Sequence, residues 1–198
     1  MTIILPEALR QRAVASLVRR YDRRVMNNVH RGEYLECLVA ELLGSGWRLP
    51  WTAGHDWAPW DLEHISGARM EVKQSAALQS WHDGKSAFTS PRFDIAPRKG
   101  YWTLDGSWID RPGRPADIYL FGWHPEKDRS VADHRAPEQW RFFVVPALRL
   151  PAAQKSIGLG ALERLVGATG YEPLASAAAA AVDSLQTEGQ APAHGAPR

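Results

Sequence analysis

Residues 60–75 read WDLEHISGARMEVKQS. Apolar and polar residues alternate on either side of Ser66-Gly67, a dipeptide suited to a tight turn. The stretch predicts a β-hairpin with DLEHI as its first strand and RMEVKQ as its second. Side chains two apart on a strand share a face. Glu71 and Lys73 therefore point one way, and Met70, Val72 and Gln74 the other. With the turn at Ser66-Gly67, Asp61 falls roughly opposite Glu71. Two facing carboxylates repel, and a hard divalent cation relieves that repulsion. Mg²⁺ is held by one or two carboxylates, with waters and phosphate oxygens completing its octahedron. Lys73 beside such an ion is placed to orient an attacking water or to neutralise charge developing on a phosphate.

Upstream, residues 6–43 read as helical, with Pro6 and Glu7 in a first turn. Tyr34, Leu35, Leu38, Val39, Leu42 and Leu43 recur at helical spacing, and Gly44 and Gly46 stop the pattern. Gly32 is the expected break between this amphipathic helix and an arginine-rich helix over 1–31. That earlier segment carries Arg10, Arg12, Arg19, Arg20, Arg23 and Arg24. Cys37 lies in the apolar pattern and reads as a small core residue. As the single cysteine, it excludes an intrachain disulfide or a cysteine-based zinc site.

Downstream, YWTLDGSWI (101–109) reads as a second hairpin turning at Asp105-Gly106. SAALQSW (75–81) fits either a short helix or a continued strand. DIYLFGWH (117–124) and WRFFVVPAL (140–148) are apolar enough for buried strands. IGLGALERLVG (157–167) reads as a helix with Leu159, Leu162, Leu165 and Val166 inward, and PLASAAAAAVDSLQ (173–186) as another. The tail from Thr187 reads as disordered. The expectation is one α/β domain over 1–186, built on a central mixed sheet with helices against it.

The totals allow such a core: 198 residues, 44% hydrophobic and 23% charged, with net charge +2. A near-neutral total neither requires nor excludes a polyanionic partner, but the local arginine run attracts phosphate. Lys85, Arg92, Arg98 and Lys99 make the segment after the hairpin basic, a suitable phosphate clamp. No apolar run approaches the roughly 20 residues that span a bilayer. The N-terminus lacks a signal-peptide pattern, so the expected location is cytoplasmic, with no membrane partner. Of the nine tryptophans, Trp57, Trp60, Trp81, Trp102 and Trp108 surround the hairpin. Large aromatics are most often core, although near a nucleic-acid site they also stack on unpaired bases. His55, Asp56 and His64 lie close by, at a spacing that matches no helical metal motif. His30 and His134 read as surface residues.

Pro59-Trp60-Asp61, nine residues, then Glu71-Val72-Lys73 resembles the motif of the PD-(D/E)xK nuclease superfamily. The proline stands one position further upstream than in the nominal pattern. RGEYLE (31–36) is similar to the first-helix signature of Holliday-junction resolvases, in which a glycine precedes a helical glutamate by four residues. Here those residues are Gly32 and Glu36, with Glu33 the competing acid. The resemblance covers 31–74. It implies a restriction-endonuclease-like fold and hydrolysis of DNA phosphodiester bonds with Mg²⁺, or Mn²⁺ in its place. Asp61, Glu71 and the Val72 carbonyl would hold the ion, Glu36 would complete the metal shell, and Lys73 would position the water. Gln74 would lie near the scissile strand, with Arg31, Lys85, Arg92 and Lys99 on the nucleic acid. Cutting both strands implies a homodimer or two binding events. Two alternatives stay open: a non-catalytic nucleic-acid-binding or assembly module that keeps the fold, and a scaffold of unrelated fold.

Overall fold

Helix α1 spans Glu7–Val18 and α2 spans Asn28–Leu43 in the computed structural model, which describes residues 7–54, 58–103 and 106–187. The break between them falls at Arg19–Asn27 and not at Gly32. Asn27 caps α2, its side-chain oxygen accepting from the His30 amide at 3.0 Å. Gly32 lies inside the helix, where an added Cβ would meet nothing closer than 3.7 Å. Nothing in α1 is buried, whereas α2 buries Arg31, Leu35 and Val39.

The strands are β1 (Trp47–Arg48), β2 (Leu62–His64), β3 (Arg69–Ala76), β4 (Arg92–Asp94), β5 (Tyr101–Trp102), β6 (Trp108–Ile109), β7 (Ile118–His124), β8 (Arg141–Pro146) and β9 (Ser156–Gly158). Helices α3 (Leu159–Leu165) and α4 (Leu174–Thr187) follow. Five strands make one mixed sheet in the order β1-β2-β3-β7-β8. β3 and β7 run parallel; the other pairs are antiparallel. The ribbons β4-β9 and β5-β6 are separate two-stranded sheets.

The hairpin takes the expected register: Leu62 pairs with Met70 and Glu63 with Arg69. Gly67 turns at φ 86°, a conformation glycine adopts without strain. Continuing that register sets Asp61 across from Glu71. Residues 75–76 extend β3, and the short-helix alternative for 75–81 is not taken. Residues 156–158 form β9, so α3 begins two residues later than the sequence suggests. The expected turn residue Asp105, along with Pro6, His55, Asp56, Trp57 and the tail beyond Thr187, lies outside the described residues.

Alternation divides β3 between two cores. Met70 and Val72 join Leu35 and Val39 of α2, Ile118 and Leu120 of β7, and the buried face of α4. Burying an aliphatic side chain of this kind contributes roughly 1.5–3 kcal/mol. Gly122 on β7 lets α2 come close: a Cβ there would sit 2.7 Å from Leu35. On the other face Tyr119, Phe121, Phe93, Ile157 and Leu162 form a second core. Among the described residues no helix is long and apolar enough to cross a membrane.

Candidate functional site

The hairpin and α2 bring four charged side chains together. Asp61 lies just before β2, held from both directions. Its amide donates to the Met70 carbonyl at 3.0 Å, and its Oδ2 accepts the Val72 amide at 2.7 Å. The carboxylate therefore continues the ladder where the first strand ends. Trp60, the residue before it, is buried, with the Arg69 guanidinium 3.7 Å from its ring centroid. That stacking fixes the approach to Asp61.

Glu71 and Lys73 project from the opposite face to Met70 and Val72, and they form an ion pair. Their side chains keep only 19% and 25% exposure, so the pair is half-desolvated yet reachable. Both line a cleft with Pro59, Asp94, Tyr101 and Tyr119. Glu36 opens into a separate cleft, with Tyr21, Glu33, Tyr34, Cys37 and Trp51.

Electrostatics ties the two clefts together. Burial pushes the Glu36 carboxyl up to about 7, and the charges of Glu71 and Glu33 add to it. Burial likewise lifts Asp61 well above the ordinary carboxylate range, reinforced by Glu71 and Glu36. At Lys73 burial works against the charged form, but Glu71, Asp61 and Asp94 outweigh it and raise the ammonium. Two carboxyls that burial and like charge disfavour as anions, Glu36 and Asp61, thus sit beside the Glu71–Lys73 ion pair. Glu33, the competing helical acid, is exposed and accepts the Tyr21 hydroxyl at 2.7 Å. Between the two, Glu36 is the acid whose charge reaches both Asp61 and Glu71.

The donor set is all hard oxygen, which suits Mg²⁺ or Mn²⁺. Among the described residues no three His, Cys, Asp or Glu side chains form a ready-made cage for an ion. Mg²⁺ does not need one, since one or two carboxylates with water and phosphate oxygens satisfy it. The mutual repulsion of Asp61 and Glu71 is what an ion between them would relieve.

Other expected residues lie elsewhere. Arg31 is 1% exposed and reaches no surface where a phosphate would meet it. Its guanidinium donates to Gln74 Oε1 at 2.6 Å, Gln79 Oε1 at 3.2 Å and Asn28 Oδ1 at 3.0 Å. Gln74 also donates to the Asn28 carbonyl at 3.1 Å. It thus faces α2, on the opposite side of β3 from Glu71 and Lys73. Lys85, Arg92 and Lys99 are exposed. Arg92 donates to the Ser156 hydroxyl at 3.0 Å.

Two further expectations are corrected. Cys37 is exposed on the rim of the Glu36 cleft and is not a core residue, because the buried stripe of α2 runs through Arg31, Leu35 and Val39. His134 is fully buried, its Nδ1 accepting the Met26 amide at 3.0 Å. Asp94 and Tyr119 are cleft residues that no sequence motif singles out. Asp94 holds Arg98 at 2.6 Å on the cleft rim, and burial pushes the Tyr119 hydroxyl up to about 12, with Glu71 adding to it. The one signal available for Tyr119 was its place in a strand parallel to β3; Asp94 carried none. No protein-family model matches the chain, and no curated protein matches it either.

Proposed function

We propose that the protein is a divalent-metal-dependent phosphodiesterase acting on DNA, with a restriction-endonuclease-like arrangement of α2, the β2-β3 hairpin and the parallel strand β7. One observation carries this reading: Asp61 and Glu71 face each other across a hairpin, with Lys73 paired beside them and the charge of Glu36 behind. Retaining several buried acids near one another is unfavourable to folding unless something neutralises them.

Asp61 and Glu71 would hold Mg²⁺ together with the Val72 carbonyl, while Glu36 supports the ion through water. The bound ion would lower the pKa of a water and neutralise the scissile phosphate. Asp61 is kept in place by the Val72 amide and by the packing of Trp60. Lys73 holds an ammonium at the cleft, where it orients the nucleophile and stabilises developing charge. Lys85, Arg92 and Lys99 are exposed in the crossover between β3 and β7 and would supply positive charge to a polyanion. A single site cuts one strand, so cleavage of both requires two copies or two encounters.

The test is incubation of the full chain with supercoiled and linear DNA plus Mg²⁺ or Mn²⁺, beside Lys73→Ala. Nicking by the wild type that the substitution removes is the expected result. Cleavage that survives in Lys73→Ala means the activity lies in another site or another protein.

A further inference from the structure

Between β4 and β7 the chain makes an arm that the hydrolase reading does not use. Its core is the β5-β6 ribbon, in which Tyr101 pairs with Ile109 and Trp102 with Trp108. Cross-strand partners share a face, and successive residues alternate. Tyr101 turns inward, its ring 6.3 Å from that of buried Trp60, the residue before Asp61. Trp102 and Trp108 share the outward face, edge to face with centroids 5.4 Å apart. They remain 55% and 47% exposed.

The pair is built, not left over. A Cβ at Gly100 would meet the Trp108 ring at 2.7 Å and the Ile109 carbonyl at 2.1 Å. Only glycine lets Trp108 lie down over that position, and Trp108 then braces Trp102. Gly100 and Tyr101 also line the cleft that holds Glu71 and Lys73. The aromatic surface therefore begins at the edge of the candidate site. Exposed Lys99 adds positive charge next to it.

Two large, half-exposed indoles at the edge of that cleft, one braced edge to face by the other and with a cation nearby in the sequence, offer a π-face on which an unpaired base can stack. A paired duplex hides those faces. We propose that the Trp102–Trp108 platform stacks on unpaired bases next to the scissile phosphate. The substrate class is then DNA with a single-stranded segment: a tail, flap or branch. This deepens the proposed hydrolase reading and rests on it only for which phosphate is presented.

The test measures binding of the full chain in EDTA, so that no cleavage is needed. Three labelled probes are compared: a blunt DNA duplex, the same duplex with a short single-stranded tail, and the single strand alone. The wild type should bind the tailed duplex and the single strand at least tenfold more tightly than the blunt duplex. Trp102→Ala should weaken tail binding by roughly 5- to 100-fold and leave blunt-duplex binding unchanged. Because Trp108 packs on Gly100, Trp108→Phe is the second variant; it should keep most of the preference while preserving the ring. Equal affinity of the wild type for blunt and tailed duplexes overturns the proposal without any variant. So does a Trp102→Ala protein that keeps the preference. A protein that cuts blunt duplex with no preference loses this inference and keeps the hydrolase; one that binds tails but never cuts does the reverse.

Discussion

Helix α2 has a buried charge cluster at each end of its contact with β3, and the two are built on opposite rules. On the Arg31 side a guanidinium at 1% exposure is surrounded by neutral amide oxygens from Gln74, Gln79 and Asn28. Burial lowers it to about 10, so it remains charged at neutral pH with its donors satisfied. On the Glu36 side the carboxyls of Glu36, Asp61 and Glu71 repel one another around one lysine, with one cleft reaching Glu71 and Lys73 and a second reaching Glu36. One cluster is closed and satisfied, and the other is open and frustrated. The difference teaches how to sort buried charge: satisfied donors without access hold a fold together, whereas unrelieved charge with access waits for a ligand.

The largest effect should come from the open cluster. Asp61→Asn or Lys73→Ala should lower metal-dependent nicking by about 10²–10³-fold or more, read as first-order loss of supercoiled DNA. Asp61→Asn, which keeps an acceptor for the Val72 amide, should raise the Tm of the metal-free fold by removing repulsion, whereas Lys73→Ala should lower it by leaving Glu71 without its cation. A metal-free Asp61→Asn that melts well below wild type would place Asp61 on the closed side of the comparison.

The closed cluster should respond in the reverse manner. Arg31→Met strands three amide oxygens of Gln74, Gln79 and Asn28, at about 1–3 kcal/mol for each one left buried and unpaired. A total loss of about 3 kcal/mol is expected in urea unfolding, with no change in the salt dependence of DNA binding. A drop in that salt slope with stability intact would return Arg31 to the phosphate.

Metal should separate the two clusters a third way. Addition of Mg²⁺ or Mn²⁺ should raise the Tm, by about 2.7 kcal/mol of linkage at a hundredfold excess over Kd. Asp61→Asn should abolish the rise and Arg31→Met should leave it intact. A rise retained in Asp61→Asn would mean that the ion binds elsewhere.

The comparison also marks what was legible in the sequence. The hairpin register, with Asp61 across from Glu71, could be read because a strict two-residue alternation meets a turn of defined length. The β7 and β8 strands could be read from their apolar runs, whereas the sequence left Glu36 and Glu33 as competing acids on α2. The identity of each cluster could not. Arg31 looks like any helical arginine; its burial depends on Gln74 and Gln79, 43 and 48 residues away. Cys37 sits among apolar residues in the sequence, yet the buried stripe passes one helix face away. Asp94 ends the three-residue strand β4, too short a run for periodicity to place it.

The smallest effect concerns the histidine beside the closed cluster. Burial, then the charges of Arg31 and His124, hold His134 down at about 3. The unfolded chain takes up a proton there near pH 6.5, while the native chain does not until far lower pH. Stability present above pH 6.5 is therefore lost as pH falls from 6.5 toward 3. By pH 4.5 the loss attributable to this residue should be about 2–3 kcal/mol. The carboxyls of Glu36 and Asp61 act in the other direction, because their folded values are raised: they cost stability as pH rises. The useful readout is thus the difference in unfolding free energy between wild type and His134→Asn, followed from pH 7 to 4.5. Asn keeps an acceptor for the Met26 amide and has no proton to take up. A difference that grows as the pH falls assigns the acid sensitivity to the closed cluster. A flat difference would mean that His134 can be protonated in the native state beside Arg31, and that this cluster is as unrelieved as the one across the helix.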